Sequence, residues 1–167
     1  MSKKRLTITL HKSELMYDFQ NKAFLTGRSR RTDENTEQAS NMQASDDEED
    51  KNQALRSIQT AYSDLLGEIS EGLFGCAQTN TATNELMEEE GSLTLCLQVP
   101  SNFILALKET VCASIHDYIV NRALMEWFLI TDKTDAAEYG ELAKASLLRL
   151  RQTLFKRERP TRKEVDG

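Results

Sequence analysis

A chain of 167 residues with 39% hydrophobic and 29% charged side chains is long enough for one domain with its own core. Only two prolines and seven glycines interrupt it, so the composition predicts a mainly α-helical fold. A net charge of −6 argues against a protein that coats nucleic acid with one continuous positive face.

Charge is segregated along the chain. Residues 1–31 carry eight Lys or Arg against two acids, and residues 32–50 carry eight acids and no base. Residues 51–147 carry six bases against fourteen acids, and residues 148–167 carry seven bases against three acids. Basic ends on an acidic body fit a protein that docks on acidic partners, or on the acidic bodies of identical copies.

Neither targeting to a membrane nor metal chemistry is indicated. The first residues lack the apolar core of a signal peptide, and the apolar run 124–130 is too short to cross a bilayer. We therefore expect a soluble intracellular protein without a membrane partner. The three cysteines, Cys76, Cys96 and Cys112, have no CxxC spacing, so free thiols are expected rather than a disulfide framework or a zinc site.

Two short segments, residues 6–10 and 93–99, alternate between apolar and polar side chains. This alternation predicts two strands, each with one buried face, that pair with each other. A lone two-stranded ribbon is marginal in water. The ribbon must therefore pack on helices or add to the sheet of a neighbouring subunit.

The first helix is predicted over residues 13–26, with Ser13 as its N-cap and Gly27 ending it. Residues 28–50 lose apolar content and end in five consecutive acids, so they are predicted to form an acidic mobile loop. The acids also suit the positive end of the next helix dipole.

Residues 51–71 carry the clearest heptad pattern, which predicts a helix packed along its length on another helix. Its seam consists of Leu55, Ile58, Tyr62, Leu65 and Ile69. A second polar loop is predicted over residues 76–92.

Two long helices, residues 101–131 and 135–158, are predicted to form an antiparallel hairpin. The first carries apolar side chains around most of its circumference, so it must be central in the fold or contact another subunit. Thr134 or Asp135 is expected to cap the second. A basic tail, residues 159–167, completes one helical domain: a four-helix bundle with a small two-stranded β element and two long polar loops.

We find no catalytic constellation in the sequence and expect no enzymatic activity, cofactor or metal. His116 and Asp117 are neighbours on a helix, so their side chains diverge by about 100° and form no dyad. Glycine-rich phosphate loops, HExxH and EF-hand loops are also absent from the sequence.

The basic tail is the best candidate binding site. A helix dipole accounts for the cations in the last helical turns but less well for those at or beyond the helix end. Arginine suits bidentate contacts with carboxylates or phosphates. The predicted partner-binding residues are Lys156, Arg157, Arg159, Arg162 and Lys163, with Arg28, Arg30 and Arg31 as a weaker second group.

Residues 101–163 resemble the helical hairpin of small connector proteins that form adaptor rings beneath the portal of tailed phages. The resemblance lies in Glu126-Trp-Phe-Leu-Ile130, the Thr-Asp turn after it, Ala137-Glu-Tyr139, Leu147–Leu154 and Arg159-Pro-Thr-Arg162. It implies a helical bundle with a small β element, assembled as a ring of twelve copies, whose C-terminal segment docks on the portal and meets other neck or tail proteins.

The hypothesis is a structural virion protein, a subunit of a head–tail connector. An acidic body suits non-specific passage of DNA through a channel, because negative walls repel phosphates. The subunit interface is expected at Ile104, Tyr118, Trp127 and Phe128. Two alternatives remain open: a nucleic-acid-binding packaging accessory protein, and a cytosolic helical regulatory or adaptor protein.

Overall fold

The alternating segments pair as predicted. In the computed structural model, which describes residues 3–72 and 90–160, β1 (Lys3–His11) pairs antiparallel with β2 (Ser92–Pro100). The register sets Leu6 opposite Leu97 and Ile8 opposite Leu95, and all four side chains are buried. The shared apolar face of the sheet therefore packs into the core, as its alternation indicates.

The described chain is mainly helical, with five α-helices and two short 3₁₀ turns, Ser70–Gly72 and Leu105–Leu107. The helices are α1 (Lys12–Ser29), α2 (Thr36–Asn41), α3 (Glu48–Glu68), α4 (Lys108–Thr131) and α5 (Lys133–Leu154). None of the described helices is long and apolar enough to cross a membrane.

The apolar helix α4 lies at the centre, where it contacts α1, α3, α5 and β1. Ile115, Ile119 and Phe128 on α4 are fully buried. The heptad seam of α3 is buried as predicted, except that Tyr62 is half-buried and donates its hydroxyl to the Thr94 carbonyl on β2 at 3.3 Å. Gly140 allows α5 to approach α4, since a Cβ there would lie 3.0 Å from Met125 Sδ.

The prediction of a mobile loop over residues 28–50 is wrong. α1 continues past Gly27, and the short helix α2 forms within the segment. Ala39 and Met42 are buried, and the Trp127 indole donates to the Met42 carbonyl at 3.0 Å. A few well-placed apolar side chains are enough to attach this polar segment to the core.

The hairpin helices are shorter than predicted at both of their free ends. Residues 102–103 pair by their backbones with residues 157–158: Glu158 N–H donates to the Asn102 carbonyl at 2.9 Å. Residues 102–103 and 157–158 are therefore not helical: α4 begins at Lys108, after the 3₁₀ turn Leu105–Leu107, and α5 ends at Leu154.

Two capping predictions also need correction. α5 is capped by Asp132, whose side chain accepts from the backbone N–H groups of Thr134 and Asp135. α1 begins after His11, without a side-chain cap from Ser13. In both cases the helix begins before the residue that the sequence suggested.

The expectation of free thiols holds for Cys112, which is half-buried and free. It is wrong for Cys96, which forms a disulfide bond whose partner lies outside the described residues. Most of the predicted loop over residues 76–92, including Cys76, also lies outside them.

Candidate docking surface

The last described segment is held in place rather than projecting from α5. After α5 ends, Lys156 N–H donates to the Thr153 carbonyl and Arg157 pairs with Phe103. The Asn102 side-chain amide donates to the Glu158 carbonyl at 3.4 Å, next to the backbone bond between the same residues. These contacts fix the start of the predicted basic tail against the segment that follows β2.

The first residues of β1 reach the same part of the molecule. Lys3 lies opposite Pro100 and Lys4 opposite Val99, so β1 begins beside the end of β2. Residues 102–103, which hold the tail, follow Pro100 with only Ser101 between them. We call the exposed cations that this topology gathers the basic surface: Lys3, Lys4, Lys156, Arg157 and Arg159.

Several cations on the helices, in contrast, form ion pairs with carboxylates of the same chain. Arg122 binds Asp64 at 2.9 Å, Arg149 binds Asp117 at 2.6 Å and Arg151 binds Glu68 at 2.6 Å. By contrast, Lys3, Lys4, Lys156 and Arg159 form no ion pair with any residue that the structure describes. Their charge is available to a partner.

The second predicted basic group lies elsewhere and is partly used inside the chain. Arg30 binds Asp135, a carboxylate that is only 2% exposed, through Nη2 at 2.7 Å and Nε at 3.4 Å. The hydrogen bond to Asp135 raises the pKa of Arg30, with the carboxylate charge as a second cause. Arg28 and Arg31 are exposed. Arg30 therefore joins α1 to α5 and is not a free binding group.

Three of the four predicted interface residues are buried in the chain's own core. Tyr118 is 6% exposed, Trp127 7% and Phe128 0%, whereas Ile104 is half-buried. Packing within the chain explains their apolar character, since Trp127 meets Phe19 edge-on and Phe128 stacks on Tyr139. On α4 the large apolar side chains left exposed are Leu129 and Ile130.

Arg162 and Lys163 lie outside the described residues. Lys3 and Lys4 were not predicted as binding residues. The matching alternation of the two strands contained the signal for them, because pairing residues 6–10 with 93–99 carries the preceding lysines to the end of β2.

The described residues offer little for catalysis. His116 binds Asp18 of α1 at 2.6 Å rather than its neighbour Asp117. In the described part of the chain, no group of three or more His, Cys, Asp or Glu side chains could hold a metal ion. Two shallow depressions of about 220 and 270 Å³ lie beside α1, below the usual size of a small-molecule site.

One half-buried carboxylate, with a single buried oxygen, stands apart from these pairs. Glu126 Oε2 is buried without a hydrogen-bond partner, and burial raises the pKa of Glu126, while nearby Arg122 partly opposes the shift. Its position on the central helix makes it a cost to stability rather than a binding group.

Comparison of the chain with known protein families, with curated proteins and with solved structures gives no match.

Proposed function

We propose that the chain is a structural subunit of a head–tail connector ring of a tailed phage or prophage virion, without enzymatic activity. One observation carries the proposal: Lys3 and Lys4 of the first strand, and Lys156 and Arg159 of the last segment, are exposed near the end of β2, and none of the four forms an ion pair with a described residue. Such a surface suits docking on an acidic protein such as a portal.

Two further features support an assembly role. In the part of the chain that the structure describes, the sheet has two strands, so the outer edge of β1 carries backbone groups that can pair with another chain. The exposed Leu129 and Ile130 at the end of α4 offer apolar contact area to a neighbouring copy. In this proposal the four long helices α1, α3, α4 and α5 form the bundle of the subunit, and α2 is an addition to it.

Ring formation requires head-to-tail contacts between identical copies, which close when the rotation between neighbours divides a full turn. The acidic body would then line or surround a passage for DNA, because like charges keep phosphates from binding tightly. A ring of twelve copies that docks on a portal through the basic tail follows from the resemblance to connector proteins.

The test is the native mass of the purified chain at several concentrations, alone and mixed with a tailed-phage portal complex. We expect rings, or capture of the chain by the portal in a fixed ratio. The double variant Lys156→Glu with Arg159→Glu should weaken capture, whereas Arg56→Glu with Lys133→Glu changes the charge equally on exposed helical positions and should not. A chain that stays monomeric at high concentration and ignores the portal contradicts the proposal.

A further inference from the structure

Near Thr7 and Thr9, the outer edge of β1 has backbone groups that pair with no described residue, and the cations Lys3 and Lys4 lie at one end of the same strand. Lys12 N–H donates to the Gly91 carbonyl at 3.0 Å. Residues in an antiparallel ladder alternate between pairs that exchange hydrogen bonds and pairs that do not. Because Lys12 bonds to Gly91, every second residue back along β1 also bonds to β2. The residues between them, which include Thr7 and Thr9, direct their backbone N–H and C=O groups to the outer edge, away from β2.

No described strand covers that edge. β1 and β2 form a two-stranded sheet in the described part of the chain, and the Thr7 and Thr9 side chains are exposed. β1 is nine residues long, which is near the upper end of the usual range for a strand and long enough to pair with another extended segment. Edge strands of this length normally need protection, and among the described residues Lys3 and Lys4 at one end of β1 can supply it.

From this juxtaposition we infer that β1 is a strand-addition site for an acidic, extended segment of a partner protein. The backbone of that segment pairs with the outer edge of β1 near Thr7 and Thr9, and its carboxylates lie beside Lys3 and Lys4. This inference deepens the proposed docking function and rests on it for the identity of the partner. It adds Lys3 and Lys4 to the binding residues and assigns the partner's chemistry.

A protein segment fits this surface better than a nucleic acid does. The edge offers amide and carbonyl groups in the spacing of a β-ladder, which a peptide backbone matches and a phosphodiester backbone does not. Glu158 sits between the cations Arg157 and Arg159, where it would repel phosphates. The chain as a whole, with a net charge of −6, would repel a long polyanion as well.

The experiment uses the full chain and a fluorescent nine-residue peptide of alternating threonine and glutamate, which matches β1 in length. A peptide of alternating threonine and glutamine removes the charge, and an oligothymidylate of similar charge tests the nucleic-acid alternative. We expect saturable binding of the acidic peptide alone. In the complex, amide hydrogen exchange at Thr7 and Thr9 should slow, while the Leu6 and Ile8 amides, already bonded to β2, change little.

Two variant pairs separate charge from backbone pairing. Lys3→Glu with Lys4→Glu should weaken peptide binding about tenfold, as expected when two partly exposed ion pairs are lost, and Arg56→Glu with Lys133→Glu should leave it unchanged. Thr9→Pro removes an outer-edge donor and should reduce binding, whereas Thr9→Val keeps the donor and should not. Circular dichroism and thermal unfolding check that each variant is folded.

The outcomes distinguish this inference from the proposed function. Peptide binding with protection of Thr7 and Thr9 supports strand addition even if the portal fails to capture the chain. Rings or portal capture without that protection, or equal binding of oligothymidylate and peptide, would overturn strand addition and leave the connector proposal standing. Absence of peptide binding at millimolar concentration also overturns it.

Discussion

Gly27 allows α2 to approach α1 closely, and replacing it with alanine tests how the polar segment 28–50 is attached. A Cβ built at Gly27 would lie 2.6 Å from Gln43 Cγ and 2.8 Å from the Ala39 carbonyl oxygen. The second of these atoms belongs to the backbone of α2, so a side-chain rotation cannot relieve the contact. Either α2 shifts outward or the two helices separate.

Two opposing effects set the change in the free energy of unfolding that Gly27→Ala should cause. Glycine to alanine within a helix gains about 1 kcal/mol through lower backbone entropy in the unfolded chain. Overpacking costs about 1 to 3 kcal/mol. Detaching α2 sets an upper limit, because it gives up the burial of Met42, about 2 kcal/mol, and its hydrogen bond to Trp127, about 1 kcal/mol. We therefore expect Gly27→Ala to lower the free energy of unfolding by about 1 kcal/mol.

Gly67 provides a control with the opposite sign. It also lies in a helix, α3, but a Cβ there would meet no atom within 4 Å. Gly67→Ala should therefore raise the free energy of unfolding, by about 0.5 kcal/mol so close to the helix end. Urea unfolding measures both values, and fluorescence of Trp127, the one tryptophan in the sequence, reports whether the Met42 carbonyl has moved. Equal stabilisation by both variants with unchanged fluorescence would refute the packing argument.

Two further predictions concern charged groups in the body of the chain. Arg30→Ala should destabilise the fold more than Arg28→Ala or Arg31→Ala, because of these three arginines Arg30 is the one that pairs with the buried carboxylate of Asp135. Thermal unfolding of the three variants checks this prediction. Equal effects would contradict it. Glu126→Gln should stabilise the fold at neutral pH and lose that advantage in acid.

The sequence predicts elements whose pattern is local. The alternation of residues 6–10 and 93–99 identifies both strands and the face that each of them buries. The heptad from Leu55 to Ile69 identifies the buried seam of α3, and the apolar girth of α4 predicts its central place. Each of these patterns is repeated over many residues that are close together in the sequence, and all of them favour the same structure.

Features that depend on a single distant contact were not predictable in the same way. α2 is attached through Met42 and Trp127, residues far apart in sequence, within a segment whose composition is that of a solvated loop. The ends of α4 and α5 depend on the pairing of residue 102 with residue 158, which no local pattern shows. For the same reason the tail residues could be predicted as basic and exposed, but their attachment to the segment that follows β2 could not.

Glu126 provides a test of burial in the central helix that is independent of any partner. Oε2 is buried without a hydrogen-bond partner, and burial raises the carboxyl pKa above its ordinary value of 4.5. The folded state therefore binds a proton more tightly than the unfolded state does. Stability falls as pH rises from the ordinary value through the raised pKa.

The glutamine variant cannot ionise and avoids this cost. Above that window, Glu126→Gln should raise the free energy of unfolding by at most about 0.5 kcal/mol, because water screens much of the charge of a half-buried side chain, and the gain should fade as the pH falls toward 4.5. Urea unfolding at several pH values measures the difference. The same substitution at the exposed Glu138 should show no such pH-dependent gain. A gain at Glu126 that persists undiminished in acid, or a loss at neutral pH, would show that its carboxylate is stabilised in the folded chain, with Arg122 outweighing burial.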